Sequence, residues 1–206
     1  MEPIHRQPLA LQVASRIRDL IATDQFPPGT PLKEVNLCKQ LSVSRTPLRE
    51  ALKQLIAEGL VEQIPYRGVV VCNPDQASIE QMLELLGALE GFAGEMACLR
   101  ATPEEIDAIR FLTQQMHETY EKDERLSYYK INQSIHRSIV EFSKNGELIR
   151  SHERLNSRLY RIRFLSNRRT DRWHTAIEEH DAILRNLEQR EGLKLNKLLR
   201  EHLGHT

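Results

Sequence analysis

The sequence predicts a mainly α-helical chain in two parts: an N-terminal winged helix-turn-helix and a C-terminal all-helical bundle. Three observations predict it. Apolar residues recur at helical spacing in three stretches of residues 9–59. Two short β-type runs joined by a tight turn follow at once. Beyond Ser78 helical periodicity recurs to the end with no strand signal.

The first helix spans 9–22, with apolar residues at 9, 13, 17, 20 and 21, and Phe26-Pro27-Pro28-Gly29-Thr30-Pro31 breaks the chain after it. A short helix over about 33–40 uses Val35, Leu37 and Leu41 as its apolar side. Leu41-Ser42-Val43 turns, and Ser44 is placed to cap the next helix. Pro47 sits in that helix's first turn, where a missing N–H costs little. Leu48, Leu52, Leu55 and Ile56 form its inner stripe, and Gly59 ends it. The runs 60–64 and 69–72, joined by Pro65-Tyr66-Arg67-Gly68, read as a hairpin. Asn73-Pro74-Asp75 marks a boundary between domains 1–74 and 75–206. Helices are expected near 78–99, 103–121, 126–143, 146–165, 172–189 and 193–203. Thr102 and Glu105 have the spacing of a capping box around Pro103.

A chain of 206 residues with 40% apolar and 28% charged residues is an ordinary globular composition, long enough for two small cores. No apolar run approaches the roughly 18 residues of a membrane span, and Met1-Glu2-Pro3-Ile4-His5-Arg6 lacks the core of a leader peptide. Cys38, Cys72 and Cys98 are scattered and odd in number, which argues against a disulfide framework. A cytoplasmic location is expected. Net charge is zero: residues 1–74 carry 9 Lys and Arg against 7 Asp and Glu, and residues 75–206 carry 20 against 22. Any nucleic-acid reading therefore rests on where the cations sit, not on their number.

In a winged helix-turn-helix the second helix of the pair enters the major groove by its N-terminus. Here that N-terminus is Ser44-Arg45-Thr46-Pro47-Leu48-Arg49. Arg45 and Arg49, four apart, share a face opposite the leucine stripe, and Arg pairs bidentately with guanine or holds a phosphate. The hydroxyls of Ser44 and Thr46 suit phosphates, and Arg67-Gly68 at the hairpin tip is placed for the minor groove. The plainer alternative is a solvated helix face, with Arg49 paired to a neighbouring acid.

The strings Pro28-Gly29, Ser44-Arg45-Thr46-Pro47-Leu48-Arg49-Glu50-Ala51-Leu52, Glu58-Gly59-Leu60-Val61 and Arg67-Gly68-Val69 resemble the DNA-binding domain of the GntR family of bacterial regulators, over about residues 9–72. The resemblance implies a homodimer on pseudo-palindromic double-stranded operator DNA, with Arg45, Thr46, Arg49 and Gly68 at the contact. Many members carry Arg where this chain has Val35, which removes one contact.

In the second half, Asn132 and His136 are four apart on one expected helix, while His180 and His202 lie on two others. Three imidazoles and one oxygen on three helices can form a metal site. A single helical His is more often a surface or hydrogen-bonded residue. The strings Asn132-Gln133-Ser134-Ile135-His136, Glu179-His180-Asp181-Ala182-Ile183-Leu184 and Arg200-Glu201-His202-Leu203 resemble the FCD effector domain of GntR regulators, over roughly 78–203. The resemblance maps divalent-metal ligands onto Asn132, His136, His180 and His202, for Zn, Ni, Mn or Fe, and implies a small organic-acid effector. The first ligand is often Asp in the family; Asn132 ligates through its carbonyl oxygen and leaves the full charge of the ion for an anion. Many members also place an effector-facing Arg where this chain has Leu86. Arg161 and Arg163 are substitute anchors for the effector, or else ordinary surface or interhelical charges.

The expected function is a ligand-responsive transcription regulator with no catalytic residues. Two alternatives stand beside it. One is a metal-dependent hydrolase or other enzyme built on the helical half, although no HExxH helix, nucleophile elbow or phosphate loop is present. The other is a winged-helix protein used only for protein contacts.

Overall fold

The computed structural model describes residues 8–166 and 170–204. The elements run α1 (Leu9–Ala22), α2 (Glu34–Leu41), α3 (Arg45–Ala57), β1 (Val61–Ile64), β2 (Gly68–Val71), α4 (Gln76–Arg100), α5 (Pro103–Glu121), α6 (Arg125–Phe142), α7 (Gly146–Ser166), α8 (Thr170–Glu188) and α9 (Gly192–Gly204). The chain divides into two compact units, Met1–Asp75 and Gln76–Thr206.

In the first unit α1 and α2 pack on α3 around Val13, Ile17, Ile21, Leu37, Leu48, Leu52 and Leu55, all buried. These residues recur at helical spacing, so the core takes up most of each apolar stripe; Leu9 and Val35, which the spacing also puts on the stripes of α1 and α2, are instead 51% and 54% exposed. Ser42 ends α2 in the left-handed region with φ 54°, and this turns the chain sharply into α3. Ser44 occupies the N-cap position of α3 with extended backbone, but its hydroxyl makes no capping bond. The expected side-chain cap is therefore absent, and the first N–H groups of α3 keep their donor capacity. β1 and β2 pair antiparallel from Val61↔Val71 to Ile64↔Gly68. Pro31 adds a bridge to Val70, and Leu32 N–H donates to Val69 O at 2.8 Å, stitching the α1–α2 connection to the wing.

The second unit is a bundle around α4, which packs against α9, α6 and α7, while α5 packs on α6 and α8. Thr102 and Glu105 close the capping box that the sequence predicts, with both reciprocal bonds made. Two α4 glycines set the approach of α9: a Cβ on Gly94 would stand 2.5 Å from Leu199 Cδ1, and one on Gly91 2.8 Å from Asn196 Oδ1. The close α4–α9 contact brings the C-terminal end of α9 over the middle of the bundle. There His136, His180 and His202 are buried. Leu86 is fully buried beside Met82, Leu155, Leu159 and Leu203.

Candidate functional site

In the first unit the N-terminal turn of α3 presents Ser44, Arg45, Thr46 and Arg49 on its exposed side, while Leu48, Ala51 and Leu52 are buried behind them. Arg49 Nε lies 3.0 Å from Glu34 Oε2 at the start of α2. The acid-paired alternative for Arg49 is thus realised, although both partners stay accessible. An exposed pair of this kind contributes only about 0–1 kcal/mol and exchanges readily for a phosphate. At the wing, Arg67 and Gly68 follow Tyr66, which is completely exposed and holds φ 61°. An aromatic ring held out in a conformation disfavoured for L-residues is a feature that the spacing of the turn did not reveal.

In the second unit the three imidazoles that the sequence singled out come together from α6, α8 and α9. Each offers one ligand atom, and these lie within 4.8 Å of one another. Their tautomers follow from their partners. His136 Nδ1 sits 2.5 Å from Glu90 Oε2. His180 Nδ1 sits 2.6 Å from Ala176 O. His202 Nδ1 sits 2.5 Å from Glu179 Oε2. A carbonyl oxygen or an ionised carboxylate only accepts, so Nδ1 carries the proton in each ring and Nε2 keeps its lone pair. The Nε2 atoms of His136 and His180 are buried with no hydrogen-bond partner among the described residues. Asn132 Oδ1, one turn before His136, is buried and unpartnered in the same way. Burial, with His202 and His136 alongside, holds the His180 imidazole well below its ordinary pKa, so it stays a neutral donor. Three imidazole lone pairs and an amide oxygen, with the opposite ring nitrogens anchored on oxygen, fit a divalent metal.

Behind this cluster lies a polar layer that the sequence reading missed. Glu90 is 1% exposed and joins His136 to His152, whose Nε2 lies 3.0 Å from Glu90 Oε1. Burial alone would raise the Glu90 carboxyl; the adjoining His136 and the Arg163 guanidinium, with hydrogen bonds from His136 and His152, outweigh it and hold the carboxyl well below its ordinary value. Arg163, for which the sequence left an effector anchor, a surface charge or an interhelical charge open, is not on the surface: it makes an interhelical contact from α7 to Glu90 on α4. It is 3% exposed, lies 3.5 Å from Glu90 Oε1 and donates to Asn156 Oδ1 at 2.5 Å. Arg161 is half-buried two residues earlier on α7. The available signal was Glu90 itself, a lone charge in the apolar and small-residue stretch from Leu85 to Gly94.

A helix-turn-helix with a wing, followed by a helical bundle that encloses a polar, metal-ready centre, is the build of a two-part DNA-binding regulator that responds to a ligand. Residues 9–71 match the family of bacterial regulatory proteins called gntR, and residues 81–205 match the FCD domain. The chain belongs to the gntR family and carries an FCD domain, and it is a ligand-responsive transcription regulator and not an enzyme. It is 26% identical over 202 residues to the HTH-type transcriptional regulator YdhC of Bacillus subtilis, covering 96% of this chain and 89% of that one. It is 33% identical over 159 residues to the Nta operon transcriptional regulator of Aminobacter aminovorans, covering 77% and 72%. Its fold is shared with McbR/YncC of Escherichia coli at a TM-score of 0.82 and 22% identity, over 95% of this chain and 93% of that one. Among the described residues no helix is long and apolar enough to cross a membrane.

Proposed function

We propose that the chain works as a homodimer on operator DNA and that a divalent metal in the second unit anchors a small organic acid, which sets DNA affinity. The observation that carries the metal part is the set of buried Nε2 lone pairs on His136 and His180, with His202 completing the triad. Asn132 supplies the oxygen. Zn, Ni, Mn and Fe all accept this nitrogen and oxygen donor set. When bound, the ion supplies a positive charge that a carboxylate can share; its role is structural and ligand-orienting. Arg163, buried beside Glu90, adds a fixed cation to the same layer, and Arg161 lies on the same helix.

The DNA part rests on α3. Arg45 and Arg49 reach base edges or phosphates, Ser44 and Thr46 and the uncapped N–H groups of α3 hold phosphates, and Arg67 with Gly68 brings the wing to the minor groove. The homodimer places two copies of α3 about 34 Å apart, one helical turn of DNA. The dimer reading draws on α4, where Leu85, Leu89, Phe92, Met96 and Leu99 recur at a four-three spacing. Leu85, Phe92 and Leu99 are exposed, and Leu89 and Met96 half-buried. That is the seam a second copy of the helix would cover. A groove of about 360 Å³ lined by Leu85, Leu89, Ser151, Arg154, Leu155 and Arg158 continues it. An effector that favours one arrangement of the two heads by ~1–3 kcal/mol would change operator affinity roughly 5–150-fold.

The deciding experiment is metal analysis of the purified full chain after dialysis against excess zinc. One ion per chain, lost in His180→Ala, is the expected result. A wild-type chain that retains none overturns the metal reading.

A further inference from the structure

Beside the histidine centre, a chain of hydrogen bonds runs across the bundle in a fixed direction. Arg163 Nη1 donates to Asn156 Oδ1 at 2.5 Å. Asn156 Nδ2 donates to Gln133 Oε1 at 2.8 Å. A guanidinium has only donors, so the Asn156 atom facing it is the oxygen, and its amide nitrogen must face Gln133. Gln133 therefore meets Asn156 with its oxygen, and Nε2 is left at the far end. That Nε2 is buried and has no hydrogen-bond partner among the described residues, in a side chain 6% exposed. An unmet buried amide donor is costly, so its persistence calls for an acceptor that the described residues do not supply.

The position narrows what the acceptor is. Gln133 adjoins Asn132 and stands one turn before His136 on α6. Its bond partner Asn156 is one turn after His152 on α7, and Glu90 links His152 to His136. The donor thus belongs to the same polar layer as the triad. Each bond in the relay polarises the next, so part of the Arg163 charge is felt at Gln133 Nε2. Arg163 itself is committed to Asn156 and Glu90. The geometry points to Gln133 as the residue that receives an oxygen of an anionic effector, a carboxylate oxygen presented beside the metal ligands. Gln133 is then a specificity-determining residue, with Asn156 and Arg163 positioning it. The assignment rests on reading the histidine centre as the effector site.

The test uses the full chain loaded with zinc and a panel of small carboxylates from acetate through L-malate to citrate, followed by calorimetric titration and thermal shift. Gln133→Glu is nearly isosteric and keeps an oxygen for Asn156 Nδ2, but turns the free end into an acceptor. Gln133→Met removes the donor without adding charge. The carboxylate that binds the wild-type chain best is expected to lose at least about tenfold in affinity with Gln133→Glu, and less with Gln133→Met. Zinc content should stay at that of the wild type in both. Equal carboxylate affinity in wild type and both variants overturns the assignment while leaving the metal reading intact. So does a zinc-loaded wild-type chain that binds none of the panel. A wild-type chain that holds no zinc overturns the reading on which the assignment rests. Should Gln133→Glu fail to fold, Gln133→Met alone decides by the same comparison.

Discussion

Glu90 Oε2 stands 2.5 Å from His136 Nδ1, and the two residues are 46 positions apart in the chain. The contact fixes the ring of a metal-ligand candidate from a helix that supplies no ligand itself. It also locks the tautomer, because an ionised carboxylate can only accept.

Glu90→Gln is expected to weaken zinc affinity by about 10–100-fold, the usual effect of losing the carboxylate behind a ligating imidazole. The amide can still accept from His136 or His152 through one atom only, and it no longer balances Arg163. Removing one partner from a buried charged set costs about 3–5 kcal/mol, so Glu90→Ala should also lower the melting temperature markedly. Competition against a chromogenic zinc chelator measures the first effect and thermal denaturation the second. Unchanged zinc affinity in folded Glu90→Gln would show that the contact does not position the ligand.

Arg49→Ala separates stability from DNA binding. The Arg49–Glu34 pair is 59% and 35% exposed in its two side chains, so its loss should alter stability by less than about 1 kcal/mol. Affinity for a duplex selected from a random-sequence pool should nevertheless fall at least about tenfold, and the salt dependence should flatten if the lost contact was to phosphate. Arg45→Ala should behave alike. Fluorescence anisotropy across a salt series reads both effects. Wild-type affinity in Arg45→Ala and Arg49→Ala together would remove α3 from the interface.

Local features were legible in the sequence because their physics is local. Thr102 and Glu105 recognise each other across three residues, so the capping box needed no tertiary knowledge. The leucine stripe of α3 and the His136, His180 and His202 positions followed from spacing and from resemblance to known strings. The layer behind them did not. Glu90, His152, Asn156 and Gln133 acquire meaning only when α4, α6 and α7 pack, and no periodicity links them. The burial of Arg163 was hidden for the same reason. A charged side chain at an inner helix position reads as a misfit until its partners are placed. Ser44 shows the opposite limit: the residue type and position fit a cap, yet the hydroxyl makes no capping bond.

The α4 seam gives a prediction about assembly. Phe92→Glu places a charge in the middle of the stripe Leu85, Leu89, Phe92, Met96 and Leu99 without touching the buried side of the helix, since Phe92 is 44% exposed. Like charges facing each other across a two-fold interface are repulsive. Sedimentation should show a dimer for the wild type and a shift towards monomer for Phe92→Glu, with helical content kept and operator affinity reduced. A variant dimer as tight as the wild type would place the interface elsewhere.

Cys98 makes the pH dependence specific. Burial pushes its thiol up to about 11 from the ordinary 9.0, and its sulfur lies 3.8 Å from Asn186 O, a contact that only the protonated form can donate. Between about pH 9 and 11 an unfolded chain would lose this proton while the folded chain keeps it. The folded state then binds more protons, so stability falls as pH rises through that window. Below the window this contribution is fully present. Chemical denaturation at a series of alkaline pH values should show a smaller loss in Cys98→Ala than in the wild type, once each is referred to its own stability at neutral pH. At neutral pH, timed alkylation with iodoacetamide should modify half-buried Cys38 and Cys72 well before Cys98. Cys98 modified as fast as the other two, with the fold intact, would contradict its burial between α4 and the end of α8.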